Sequence, residues 1–180
     1  EIQGMVFPEL TDWKQMDAGI YEIAIAPAGT SLDDAILTSK VGLKAGAVMT
    51  VAVVGTAEQD TLAVQVIEED YSKPGPGEAR LSLFHAVPTA PMVNVVANDL
   101  TLIQGLAYPG FFEGEGDGFA TVDIVAGDYA IQITSDDGVE LVDVGTIKLG
   151  PDRNYFIAAV GVVNNPQFVL VRTDIAELAP

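Results

Sequence analysis

Residues 79–102 read ARLSLFHAVPTAPMVNVVANDLTL, and this stretch decides the fold. Residues 80–85 alternate apolar and polar side chains, the period of a half-buried strand. Pro88 and Pro91 cannot donate to a β-ladder, so the chain between them turns in an extended conformation. Residues 92–97 form a second strand, and Asn98-Asp99 is a tight-turn signal ahead of a third strand at 101–107.

Working outward from this stretch uncovers an internal repeat. Ile2-Gln3-Gly4-Met5-Val6-Phe7-Pro8 matches Ile103-Gln104-Gly105-Leu106-Ala107-Tyr108-Pro109. Ala18-Gly19-Ile20-Tyr21-Glu22-Ile23 matches Ala126-Gly127-Asp128-Tyr129-Ala130-Ile131, and Val51-Ala52-Val53-Val54-Gly55 matches Ile157-Ala158-Ala159-Val160-Gly161. Residues 61–66 then correspond to 167–172, and the order is kept throughout, with seven extra residues in the second copy between the Pro and the Ala-Gly pair. The 24 residues at 79–102 have no counterpart in the first copy. The first copy therefore lacks its opening strands.

Further strands are expected at 120–124, 129–134, 140–148, 155–160 and 168–173, about eight in the second copy. Nothing resembling a crossover helix separates them, so a sandwich is favoured over a parallel sheet. In the Ala-Gly-x-Tyr step, the Tyr is expected to bury its ring while its hydroxyl finds a backbone partner. The expectation is an all-β chain of two tandem immunoglobulin-like or transthyretin-like antiparallel β-sandwich domains. Residues 1–70 form the first repeat without its N-terminal strands, 71–78 a Pro/Gly linker, and 79–180 the complete second repeat.

Composition agrees. A chain of 180 residues with 49% hydrophobic side chains has room for two domains with real cores. Its 18 Gly and 10 Pro punctuate short runs of Val, Ile, Ala and Leu. The net charge of −18 repels phosphate backbones, so nucleic acid is not an expected partner. With no cysteine there is neither a disulfide framework nor a thiolate site. No apolar run reaches the roughly 18 residues of a membrane helix, and membrane insertion is not expected. The chain opens at Glu1 without an initiator Met, which reads as processing or trimming.

The stretch from Arg80 to Val95, the Gly105-Leu-Ala-Tyr step, Val125-Ala-Gly-Asp-Tyr129 and the closing Tyr155 to Gly161 together resemble a bacterial and archaeal family catalogued as domain of unknown function 4397. The family pattern has His-Ala-Ser-Pro-Asp-Ala-Pro where this chain has His85-Ala-Val-Pro-Thr-Ala-Pro91, so Val87 and Thr89 depart from it. The resemblance implies an extracellular or cell-envelope setting, frequent tandem copies and a sandwich-like fold. It implies no catalytic residue.

Candidate chemistry is sparse. His85 is the only histidine, which removes multi-His metal sites and makes any Ser-His-Asp triad depend on it alone. Beside a Pro-bounded turn it reads as a structural histidine hydrogen-bonded to that turn. Glu113, Glu115 and Asp117 alternate with glycines in a loop of the second copy and are the calcium candidates, although their spacing is not that of an EF-hand. Asp136-Asp137-Gly138 reads as a hairpin turn, and Asp33-Asp34 is similar. Trp13 lies in a loop where exposure would mark a contact surface, a cap over the sandwich end being the other reading. Catalysis by carboxylate pairs finds no support, because the acids gather in turns.

The chain is thus expected to be a non-catalytic extracellular or cell-surface structural protein without a resident cofactor, apart from calcium. Its expected partner is itself or a neighbouring repeat, through strand complementation in a filament or layer. The alternative is an adhesin-like or carbohydrate-binding module of a larger cell-envelope protein, with a glycan as partner.

Overall fold

The computed structural model describes residues 2, 4–88, 90–109, 116–162 and 165–173. Among these, every regular element is a strand except one 3-10 turn at Leu32–Asp34. The chain divides into two compact units, Glu1–Glu69 and Asp70–Pro180.

The second unit carries β5 (Glu78–Ala86), β6 (Val93–Ala97), β7 (Leu100–Leu106), β8 (Phe119–Val125), β9 (Gly127–Thr134), β10 (Glu140–Leu149), β11 (Arg153–Val162) and β12 (Asn165–Thr173). They form two four-stranded sheets, in the orders β10-β9-β6-β7 and β12-β11-β5-β8. This is the expected eight-stranded sandwich, with one departure from a purely antiparallel plan. β5 runs parallel to β11, Leu83 lying opposite Ile157, while every other ladder is antiparallel. Local alternation sets a strand's faces but not its direction relative to a neighbour some 75 residues away, so the parallel pair left no mark in the sequence.

Alternation sorts the side chains as the pattern requires. Ala79, Leu81 and Leu83 of β5 meet Val93, Val95 and Ala97 of β6 in one core with Leu106, Ile131, Leu149, Tyr155 and Ile157. β5 is buried on its other face as well. There Arg80 forms a paired salt bridge with Asp123, Nε to Oδ1 at 2.7 Å and Nη2 to Oδ2 at 2.8 Å. Its remaining donors take the Asp70 and Ser72 carbonyls at 3.1 and 3.0 Å, fastening the start of the Pro/Gly stretch to this unit. Phe84 and Phe119 flank Phe156, each with centroids 6.4 Å away. Asn98 and Asp99 both adopt positive φ, 47° and 66°, which gives the tight turn between β6 and β7.

The first unit consists of β1 (Gly19–Ile25), β2 (Leu37–Leu43), β3 (Val48–Val54) and β4 (Ala63–Glu69). β1 pairs only with β2 and β3 only with β4, both antiparallel. These pairs correspond to β9-β10 and β11-β12. The last hairpin differs between the copies. Val51 pairs with Val66, whereas its equivalent Ile157 pairs with Leu170, so the final strand sits two residues away from the sequence correspondence. A shift of two preserves the face of every side chain, which is why the alternation survives it.

Candidate functional site

The first unit carries four described strands and the second eight. In the complete repeat β6 pairs with β9, and β5 pairs with β11. Among the described residues the equivalent strands of the first unit, β1 and β3, have no such neighbour and end their sheets as edges. Residues 2 and 4–18 contain no strand, although they keep the Ile-Gln-Gly step and the approach to Ala-Gly-x-Tyr that belong to β7 and β8 in the second copy. The cause is pairing. β7 is held in its sheet by β6 alone and β8 by β5 alone, so without those partners the same segments have no ladder to join.

Both open edges lie on one flank. In the first unit β2 meets β4 across the two sheets, and in the second unit β7 meets β8. With β2 and β4 closing one side, β1 and β3 face the other together. Val51 and Val53, on one face of β3, are exposed, while Val54 and Ile67 on the opposite face of the β3-β4 hairpin are buried. Val51 is 38% exposed, whereas its equivalent Ile157 is 4% exposed in the core. Val53 is 48% exposed. Among the described residues, only Val41, Val54 and Ile67 are fully buried hydrophobic side chains in this unit. Ile2, Met5, Val6, Phe7, Leu10, Trp13 and Met16, all before β1, are exposed. Covering one Val- or Leu-sized side chain stabilises by about 1.5–3 kcal/mol.

The predicted site residues distribute as follows. His85 is 2% exposed and spends both ring nitrogens on the turn after β5. The Val87 N–H donates to Nδ1 at 3.3 Å, which leaves the proton on Nε2 to face the Pro91 carbonyl at 3.3 Å. Burial holds its pKa below the usual 6.5. It is the structural histidine that its position suggested, clamping the arch that carries the chain from one sheet to the other. Glu113 and Glu115 lie outside the described residues. Asp117 is exposed and accepts the Phe119 N–H at 3.0 Å. Among the described residues no three acids or histidines come together as a metal site. Asp136-Asp137-Gly138 forms the β9-β10 hairpin turn, where Gly138 N–H donates to the Ser135 carbonyl at 3.0 Å. The Ser135 hydroxyl, bonded to Asp137, holds that carboxyl below its ordinary range. Asp34 completes a capping box with Ser31 on the short 3-10 turn. Trp13 is 43% exposed.

One feature had no sequence signal. A shallow groove of about 550 Å³ crosses the outer face of the β10-β9-β6-β7 sheet. Asn94, Thr101, Gln104, Gln132 and Thr134 line it, with Asp99, Asp136 and Asp137 from the turns. It holds no cationic side chain. The residues come from two stretches, 94–104 and 132–138, and each alone reads as the ordinary polar face of a strand and its turn.

A family model described as Domain of unknown function (DUF4397) matches residues 1–86 and again residues 79–180. The chain belongs to this family. It carries two DUF4397 copies in tandem, and the matched segments share 79–86, the greater part of β5. None of the curated proteins compared with the chain matches it. Among the described residues β1 and β3 of the first copy each have a single ladder neighbour, whereas their counterparts β9 and β11 in the second copy each have two.

Proposed function

We propose that the protein is a non-catalytic extracellular structural protein, a subunit of a cell-surface filament or layer assembled by strand complementation between subunits. The observation that carries this reading is the flank where β1 and β3 each have one neighbour among the described residues and Val51 stands 38% exposed. Unpaired N–H and C=O groups along an apolar edge recruit strands. A contact in which one subunit's strands fill another's flank is heterologous, and such contacts propagate into open assemblies unless the rotation closes. A net charge of −18 keeps such subunits dispersed until the edges meet. Light scattering and electron microscopy of native material test it. Ordered fibres or sheets are expected, and a monodisperse monomer at high concentration would sink the reading.

The groove on the β10-β9-β6-β7 sheet favours a second reading, an adhesin-like or carbohydrate-binding module of a larger cell-envelope protein. Amide and hydroxyl side chains in rows about 4.8 Å apart present alternating donors and acceptors, which suit a polyhydroxylated ligand. Binding on a glycan array, lost in Gln132→Ala, distinguishes this module from a purely structural subunit.

A further inference from the structure

We infer that the groove on the outer face of the β10-β9-β6-β7 sheet takes a cationic glycan, an oligosaccharide of amino sugars whose free amines are protonated. This deepens the carbohydrate-binding reading above and rests on it for the polyhydroxylated character of the ligand. The groove belongs entirely to the second unit. Its floor is two rows of side chains laid across three strands. Gln132, Val96 and Thr101 are ladder partners in one row, and Thr134 and Asn94 are partners in the next, where Gln104 of β7 also lines the groove.

Part of this floor is fixed and part is left for a ligand. Asn94 is buried and its amide is spent on the frame, Nδ2 donating to the Ser135 carbonyl at 3.2 Å and Oδ1 accepting the Gly105 N–H at 2.9 Å. Beside it Thr134 is only 9% exposed and lines the groove, yet its hydroxyl has no partner in the protein. So deep a hydroxyl needs a partner that enters through the groove. Thr101 and Gln104 likewise keep their side-chain donors and acceptors for an incoming group.

Charge decides the class of sugar. Asp136 and Asp137 stand at the end next to Thr134, and Asp99 stands at the other, beyond Val96 in the β6-β7 turn. Asn94 and Asp99 are five residues apart in the chain, roughly 15 Å at about 3.3 Å per residue. No lysine or arginine lines the groove, and Gln132 donates to a further carboxylate, Glu140, at 2.6 Å. Such a field repels uronates and sulfated or sialylated chains, and a neutral chain leaves it unanswered. Ammonium groups at both ends of an oligosaccharide meet the carboxylates, while the ring hydroxyls between them reach Thr101, Gln104 and Thr134. A single sugar cannot span both ends, so the ligand is an oligomer. A bare divalent ion is a poor match, because among the described residues no three acids come together.

The test is calorimetric titration of the full chain with a β-linked glucosamine tetramer at low and moderate salt. Saturable one-to-one binding is expected, about tenfold tighter than that of the same tetramer fully N-acetylated and weakening as salt rises. Asp136→Asn combined with Asp137→Asn, and separately Asp99→Asn, are each expected to cut that preference about threefold and to leave binding of the N-acetylated tetramer unchanged. Thr134→Val is expected to weaken both tetramers about threefold or more, while Thr134→Ser, which keeps the hydroxyl, binds as the parent does. Equal binding of the two tetramers, or a preference that survives in both aspartate variants, overturns the cationic class and leaves the carbohydrate-binding reading standing. Equal binding of tetralysine overturns it too, since a chain of net charge −18 then attracts any cation. Binding of neither tetramer overturns the inference, and a glycan array on which nothing binds removes the underlying reading with it.

Discussion

The Tyr129 hydroxyl donates to the carbonyl of Val125 at 2.7 Å, four residues earlier in the chain. Tyr21 repeats the bond in the first unit, to the Asp17 carbonyl at 2.8 Å. The two bonds pin the strand after Ala-Gly to the segment before it, and they fix Asp17 and Val125 as equivalent positions. Because the first copy makes this bond where β2 is the only described strand beside β1, the motif is a local device that does not depend on strands like β5 or β6. Tyr129→Phe is expected to lower second-unit stability by about 0.5–1.5 kcal/mol, and Tyr21→Phe to act comparably on the first. Denaturant titration of both variants checks this.

Gly55 closes the first copy's equivalent of β11 at a φ of 90°, and a Cβ there would sit 2.1 Å from the Thr61 carbonyl oxygen. Its counterpart Gly161 has a φ of 98°. Gly55→Ala meets both a disfavoured backbone and a backbone clash that no rotamer relieves. It is expected to cost about 3 kcal/mol or more, enough to unfold a unit with so small a core. Gly46→Ala, at a φ of 72° with open space around the added carbon, is the control and is expected to cost about 1 kcal/mol. Thermal melts of the two variants separate clash from backbone strain.

Arg80 holds Asp123, Asp70 and Ser72 together from one nearly buried guanidinium. Ser72, through its side chain and backbone N–H, and then Arg80 hold the Asp70 carboxyl below its ordinary range. Lysine cannot reproduce the fork, so Arg80→Lys is expected to destabilise the second unit by about 1–3 kcal/mol, discounted for the partly exposed carboxylates. Amide exchange near Ser72 is expected to accelerate as well, because the anchor of that segment is lost.

His85 makes stability depend on pH with a defined sign. Its folded pKa lies below the unfolded 6.5, because burial disfavours the cation. As pH falls below about 6.5 the unfolded chain takes up a proton that the folded one refuses, so stability is full above that value and declines below it. His85→Gln is expected to be less stable at neutral pH and to lack this decline between about pH 6.5 and the carboxylate range. Melting temperatures across that window decide it.

Much of the fold is legible in the residues. Val93, Val95 and Ala97 alternate, Asn98-Asp99 turns, and Tyr21 and Tyr129 mark one repeat twice, so strand positions and tandem copies follow from local pattern. The parallel partnership of Leu83 with Ile157 does not, because direction is settled by where a distant strand lies. Residues 2–18 are the sharper lesson. Their sequence keeps the pattern of β7 and β8, yet a strand exists only when something pairs with it, and no described strand of the first unit lies beside them. The groove over Asn94 and Gln132 escaped for a related reason, since rows across a sheet join residues that the sequence scatters.

β2 and β4 meet on one side of the first unit, so β1 and β3, each with one ladder partner among the described residues, lie together on the other. Protection from solvent should follow the count of ladder neighbours: amide exchange along β1 and β3 is expected to be faster than along β9 and β11, which are paired on both sides.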